Sequence, residues 1–115
     1  MNKRDQFAAV IAAYRRHGWE LRRALVTTES LAEGGSDLQA LLAGRSASEA
    51  PFDALWFARP AAKDREAWEL RLVAETPYAL FEAFESEEAE EQREDVRREM
   101  EARMREYTAK AMNDA

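Results

Sequence analysis

Apolar side chains at Phe7, Val10, Ile11 and Tyr14 recur at the spacing of one helix face. Asn2 is placed to cap the start and Gly18 to end it, which predicts a helix over residues 3–17. The period then drops to two. In WELRRALVT, Trp19, Leu21, Arg23 and Leu25 share one face of a strand, and Glu20, Arg22, Ala24 and Val26 share the other. Arg23 interrupts the apolar face; anion binding is one role for it, but a guanidinium reaching solvent or a carboxylate at the sheet edge is the simpler one. Residues 28–52 are rich in Ser, Gly and Ala and read as a crossover or flap. Within it Ser36 and Gln39 stand at capping-box spacing before Leu38, Leu41 and Leu42, and Gly44 closes a short helix.

Two hairpins are predicted next. In AWELRLVA, Trp68, Leu70 and Leu72 alternate with Glu69, Arg71 and Val73, so the Trp68 face is the core face. A loop over residues 60–65 that sets Arg59 opposite Glu66 brings Phe57 against Trp68 and Leu55 against Leu70. Trp56 then lies opposite Glu69 on the second face. Pro77 cannot supply the positive φ angles of the tightest turns, so a four-residue loop pairs Ala74 with Ala79 and sets Arg71 opposite Glu82 and Leu72 opposite Phe81. A competing reading makes Thr76 an N-cap and residues 77–84 a helix that opens on Pro77. Ser86 opens a last helix over residues 86–112, with Glu87, Glu88, Glu90 and Glu91 near its start, where the helix dipole favours negative charge. Val96, Met100, Met104, Tyr107 and Ala111 form its narrow apolar stripe, and Glu94 with Arg98, Glu99 with Arg103, Glu101 with Arg105 and Glu106 with Lys110 stand at i,i+4.

These elements make a single α+β domain over residues 1–115: an N-terminal helix, a mainly antiparallel four-stranded sheet with a short crossover helix after strand one, and a long charged C-terminal helix. In the predicted registers the second face carries Trp56, Val73, Tyr78, Leu80 and Phe84 around Glu69, Arg71 and Glu82. Either a terminal helix covers this face and gives three layers, or it is an exposed partner surface. The narrow last stripe suits covering only part of a sheet face. The candidate interaction surface is therefore Trp56, Arg71, Val73, Tyr78, Leu80, Glu82, Phe84, Met100, Met104 and Tyr107.

Composition narrows the chemistry. The 115 residues contain no cysteine, which excludes disulfides, thiolate metal sites and cysteine nucleophiles. The basic start and short apolar stretch of residues 7–13 imitate a signal peptide but run into Tyr14, Arg15 and Arg16, and no run approaches the roughly 18 residues of a membrane span. A cytoplasmic protein without a membrane partner is expected. The net charge of −6, and the glutamates interleaved among Arg97, Arg98, Arg103 and Arg105, argue against nucleic acid. His17, the one histidine, stands beside a helix-ending glycine, where a cation at the helix C-terminus suits it better than a catalytic role. No phosphate loop, nucleophile elbow or dinucleotide fingerprint occurs, so no catalytic, cofactor or metal residue is assigned.

The blocks GWELRRAL, DALWFARP and REAWELRLVAETPYAL with the charged last helix resemble a group of small, functionally uncharacterised bacterial domain proteins, a likeness that implies no activity or site. In size and charge the chain is also loosely similar to dimeric type III secretion chaperones, whose element order differs. The expected function is a non-enzymatic protein-interaction module, adaptor-like or chaperone-like, acting on a protein partner or as a homodimer. The alternative is a small-ligand binder or small enzyme with a pocket between residues 36–51 and the sheet near Trp19 and Arg59.

Overall fold

Asn2 does cap the first helix, its side chain accepting the Asp5 N–H at 2.8 Å, and α1 runs Lys3–Arg16 before Gly18 leaves it at φ +83°. The computed structural model describes residues 2–113. It continues as β1 (Glu20–Val26), α2 (Thr28–Leu41), β2 (Ser46–Glu49), β3 (Ala54–Pro60), β4 (Glu66–Leu72), β5 (Ala79–Phe84) and α3 (Glu90–Asn113). The sheet order is β2-β1-β3-β4-β5, with β1 and β2 parallel and the remaining pairs antiparallel. The α+β class and the three helices are as expected, but the sheet is mixed and has five strands rather than four. The extra strand, β2, is the sequence SASE, exposed throughout and without apolar alternation, so no periodicity marks it. Residues 79–84 form a strand, which removes the helical reading of residues 77–84.

The crossover helix starts earlier than its Ser36 capping box. Thr27 caps it by accepting the Ser30 N–H at 3.1 Å, and buried Asp53 holds the same turn by accepting the Thr27 N–H at 2.8 Å and the Ser30 hydroxyl at 2.5 Å. Gly35, at φ +55°, then breaks the helix directly ahead of Ser36, so the predicted short helix survives as its second half. At the other end of the chain, Arg93 donates to the carbonyls of Glu85, Ser86 and Glu88 and ties residues 85–88 into a turn. The last helix therefore begins at Glu90 instead of Ser86.

Both hairpin registers differ from expectation. Pro60, not Arg59, pairs with Glu66, because Lys63 and Asp64 adopt positive φ and shorten the turn by one residue. Trp56 thereby moves opposite Leu70, and Phe57 opposite Glu69. The Val73 N–H bonds the Asp53 carbonyl at 2.9 Å instead of continuing the ladder, so the second loop is longer, and Arg71 rather than Ala74 pairs with Ala79. Glu82 then faces Trp68, and Arg71 and Glu82 lie on opposite faces.

The domain is three-layered. On one face α1 and α2 bury Phe7, Ile11, Leu38 and Leu42 against Leu21, Leu55 and Phe57. On the other, α3 buries Met100 and Met104 against Trp56, Trp68, Leu70, Leu80 and Phe84. The second face is thus covered by the chain itself, contrary to the exposed-surface reading. The stripe of α3 looked too narrow because Arg97 counted as polar. Its side chain is 1 % exposed, and its guanidinium lies 4.4 Å from the Trp68 ring centroid and 5.5 Å from that of Phe84.

Candidate interaction surface

Six of the ten residues expected on a partner surface are core. Trp56, Val73, Leu80, Phe84, Met100 and Met104 are buried, because the slipped registers turn the Trp56 face under α3 and carry Val73 into the opposite core. Arg71 is half-buried on the α1 side of the sheet, and Glu82 is exposed on the α3 side. Tyr78 and Tyr107 are half-buried and stack at 3.6 Å with rings 5° from parallel, which pins the C-terminal half of α3 beside the start of β5.

The polar groups under α3 are fully occupied. Trp56 Nε1 donates to Glu101 Oε2 at 2.8 Å. Arg23 binds Glu94 through two parallel bonds of 2.9 and 2.8 Å, reaching a carboxylate as the sequence suggested, although β1 is not an edge strand. Arg97 donates to the same Glu94 at 3.0 Å and to Glu90. Glu94 therefore turns to Arg23 and Arg97 instead of its i,i+4 neighbour Arg98, which pairs with Asp95. The Arg23 bonds, then those from Arg97, hold the Glu94 carboxyl down to about 2 from its ordinary 4.5. A lowered carboxyl pKa stabilises the folded state above the unfolded value and loses that effect as pH falls toward the folded one. Glu94→Gln should cost on the order of 1–3 kcal/mol near neutrality, discounted for partial exposure. In denaturant titrations across pH, the gap to wild type should close as pH falls from 4.5 toward about 2. A gap independent of pH would show that the paired charge contributes nothing.

The two faces are covered unevenly. Glu94 reaching β1 and Glu101 reaching β3 mark one flank of α3, while Arg97 spans the rings of Trp68 on β4 and Phe84 on β5, so the helix lies over the β4–β5 pair. On the opposite face α1 reaches as far as Phe57 and Glu69: Tyr14 stacks on Phe57 at 4.1 Å and donates its hydroxyl to the Glu69 carboxylate. Burial and that carboxylate hold the Tyr14 phenol well above its ordinary pKa, so it remains a protonated donor. Beyond Glu69 in the same row stands Phe81 on β5, uncovered and 56 % exposed, touched edge-on by Trp19 at 6.4 Å. It is the exposed large hydrophobic residue among those described.

Phe81 also sits mid-way along the outer strand of the sheet. β5 has six residues, contains no Lys or Pro, and pairs with β4 without a bulge, so the single charge of Glu82 is the one guard along its outer main-chain edge. The opposite edge is blunted, since β2 is only four residues long, all of them exposed. Phe81 was expected in the core opposite Leu72, and only the three-residue shift of the β4–β5 register exposes it.

Arg59 lies 4.5 Å over the Trp19 ring and donates at 3.0 Å to the carbonyl of His17, the exposed residue whose own N–H caps the C-terminus of α1. One concavity of about 590 Å³ lies between residues 46–52, β1 and α3, beside Arg23 and Glu94 and away from Trp19 and Arg59, and another of about 800 Å³ lies between Lys3, the start of α2, residues 72–76 and the end of α3. Asp53 lines the second, but its carboxylate is taken by Thr27, Ser30 and Lys3, the last at 3.4 Å. Among the described residues no group of three His, Asp or Glu side chains could hold a metal ion, and no helix is long and apolar enough to cross a membrane. Comparison with known proteins finds no family model, no curated protein and no solved structure that matches this chain.

Proposed function

We propose that the chain is a protein-interaction module that docks an extended strand along the outer edge of β5. One observation carries the reading: a six-residue edge strand free of Lys, Pro and bulges presents the exposed Phe81 at its middle. Main-chain bonds to such an edge supply affinity in a sequence-tolerant way, and an aromatic side chain beside them supplies an anchor. The polar clusters support a binding role over a catalytic one. Glu94 and Asp53 are committed to structural partners, and Tyr14 keeps its proton.

Selection of random peptides on the immobilised chain tests this. Bound peptides should lose about tenfold or more in affinity on Phe81→Lys, in line with loss of a central aromatic anchor. They should keep their affinity on Ser48→Lys at the β2 edge. Because Phe81 is more than half exposed, Phe81→Lys should leave the fold intact by circular dichroism. Equal binding to both variants would place the docking surface elsewhere.

A further inference from the structure

We infer that the strand this edge takes is β5 of a second copy, in a two-fold dimer whose axis passes through Phe81. This rests on the edge reading above and names its partner. A two-fold axis normal to the sheet pairs the two β5 strands antiparallel and places one residue opposite itself. Three such axes keep most of the strand paired: at Leu80, at Phe81 and at Glu82. An axis at Glu82 sets two glutamates directly opposite, a destabilising like-charge pair. An axis at Phe81 sets the two exposed rings opposite each other, Ala79 against Ala83, and Leu80 against Glu82.

The flank of α3 selects the same axis independently. Glu94 and Glu101 point toward β1 and β3, so the residues half a turn away, Val96, Glu99, Arg103 and Tyr107, point toward the β5 edge. The Tyr107–Tyr78 stack confirms that side. Phe84 lies beneath Arg93 and Arg97, and Tyr78 beside Tyr107, so the midpoint of that span, Phe81, projects close to Glu101 along the helix. An axis there brings Glu99 of one copy to Arg103 of the other, twice over. An axis at Leu80 would project near Arg103 and oppose two arginines, and one at Glu82 would project near Glu99 and oppose two glutamates. The spacing also fits. A helix over the β4–β5 pair and its two-fold mate are separated by about two strand spacings, roughly 10 Å, the distance at which helices pack. Strand pairing, aromatic contact and helix charge thus share one axis.

The absence of cysteine makes the test clean. Phe81→Cys places a lone thiol on the axis, with Cα atoms about 4.5–5.5 Å apart in the dimer, inside disulfide range. Wild type should sediment as a dimer at high micromolar concentration. Oxidised Phe81→Cys should form a covalent dimer, and Glu49→Cys on β2 should not. Glu99→Arg and Arg103→Glu should each weaken association about tenfold, and the two together should restore it, since the exchange recreates opposite charges across the axis. A wild type that is monomeric throughout overturns the second copy as the partner, while the peptide selection still judges the edge. A dimer that fails to cross-link at residue 81 and ignores the charge exchange overturns the axis.

Discussion

Trp56→Ala is expected to lower the stability of the folded chain by about 3–5 kcal/mol in denaturant melts, the range for emptying a large aromatic site in a packed core. Trp56 is 0 % exposed; it packs on Leu70 and Met100 within the α3-side core, meets Trp68 edge-to-face at 5.9 Å, and donates its indole N–H to Glu101. Truncation leaves a void and also frees Glu101 from its bond. An exposed partner surface would predict the opposite, a folded monomer with altered association. A loss under about 1 kcal/mol would mean that α3 does not close over this face in solution.

That residue also shows where the sequence was legible and where it was not. Alternation in β4 identified a buried Trp68, and helical spacing identified α1 and α3. The run Leu55-Trp56-Phe57 is buried on both sides, since β3 lies at the centre of a sheet with helices on each face. Such a strand reads as continuously apolar and does not say which side is which. Its faces were therefore set by a turn count, and two positive-φ residues in the loop, Lys63 and Asp64, shifted that count by one. β2 escaped because its pairing with β1 is carried by main chain beneath four exposed side chains. The candidate surface was lost and gained in the same way. A hydrogen bond from Val73 to Asp53, distant in sequence, lengthens the second loop and moves Phe81 from the predicted core to the edge. Val96 and Tyr107 of the predicted α3 stripe and Tyr78 of the second face are half-buried at the border of the α3-side core.

Arg97 is the position where charge hid a core residue, and its substitutions separate two roles. The side chain lies flat over Trp68 and Phe84 and ends on Glu90 and Glu94. If packing by the stem and the guanidinium face dominates, Arg97→Ala should cost about 2–4 kcal/mol while Arg97→Met, which refills the space with an adaptable apolar chain, should stay within about 1 kcal/mol of wild type. Packing is expected to dominate because neither carboxylate would be left buried and alone. Glu90 is largely solvent-exposed, and Glu94 keeps its two bonds to Arg23. This separates the case from a closed buried ion pair, where removing one partner strands the other and costs several kcal/mol. Urea melts of the two variants at neutral pH decide it. Equal losses for Ala and Met would make the ion pair, and not the cover over Trp68 and Phe84, what fixes α3 to the sheet.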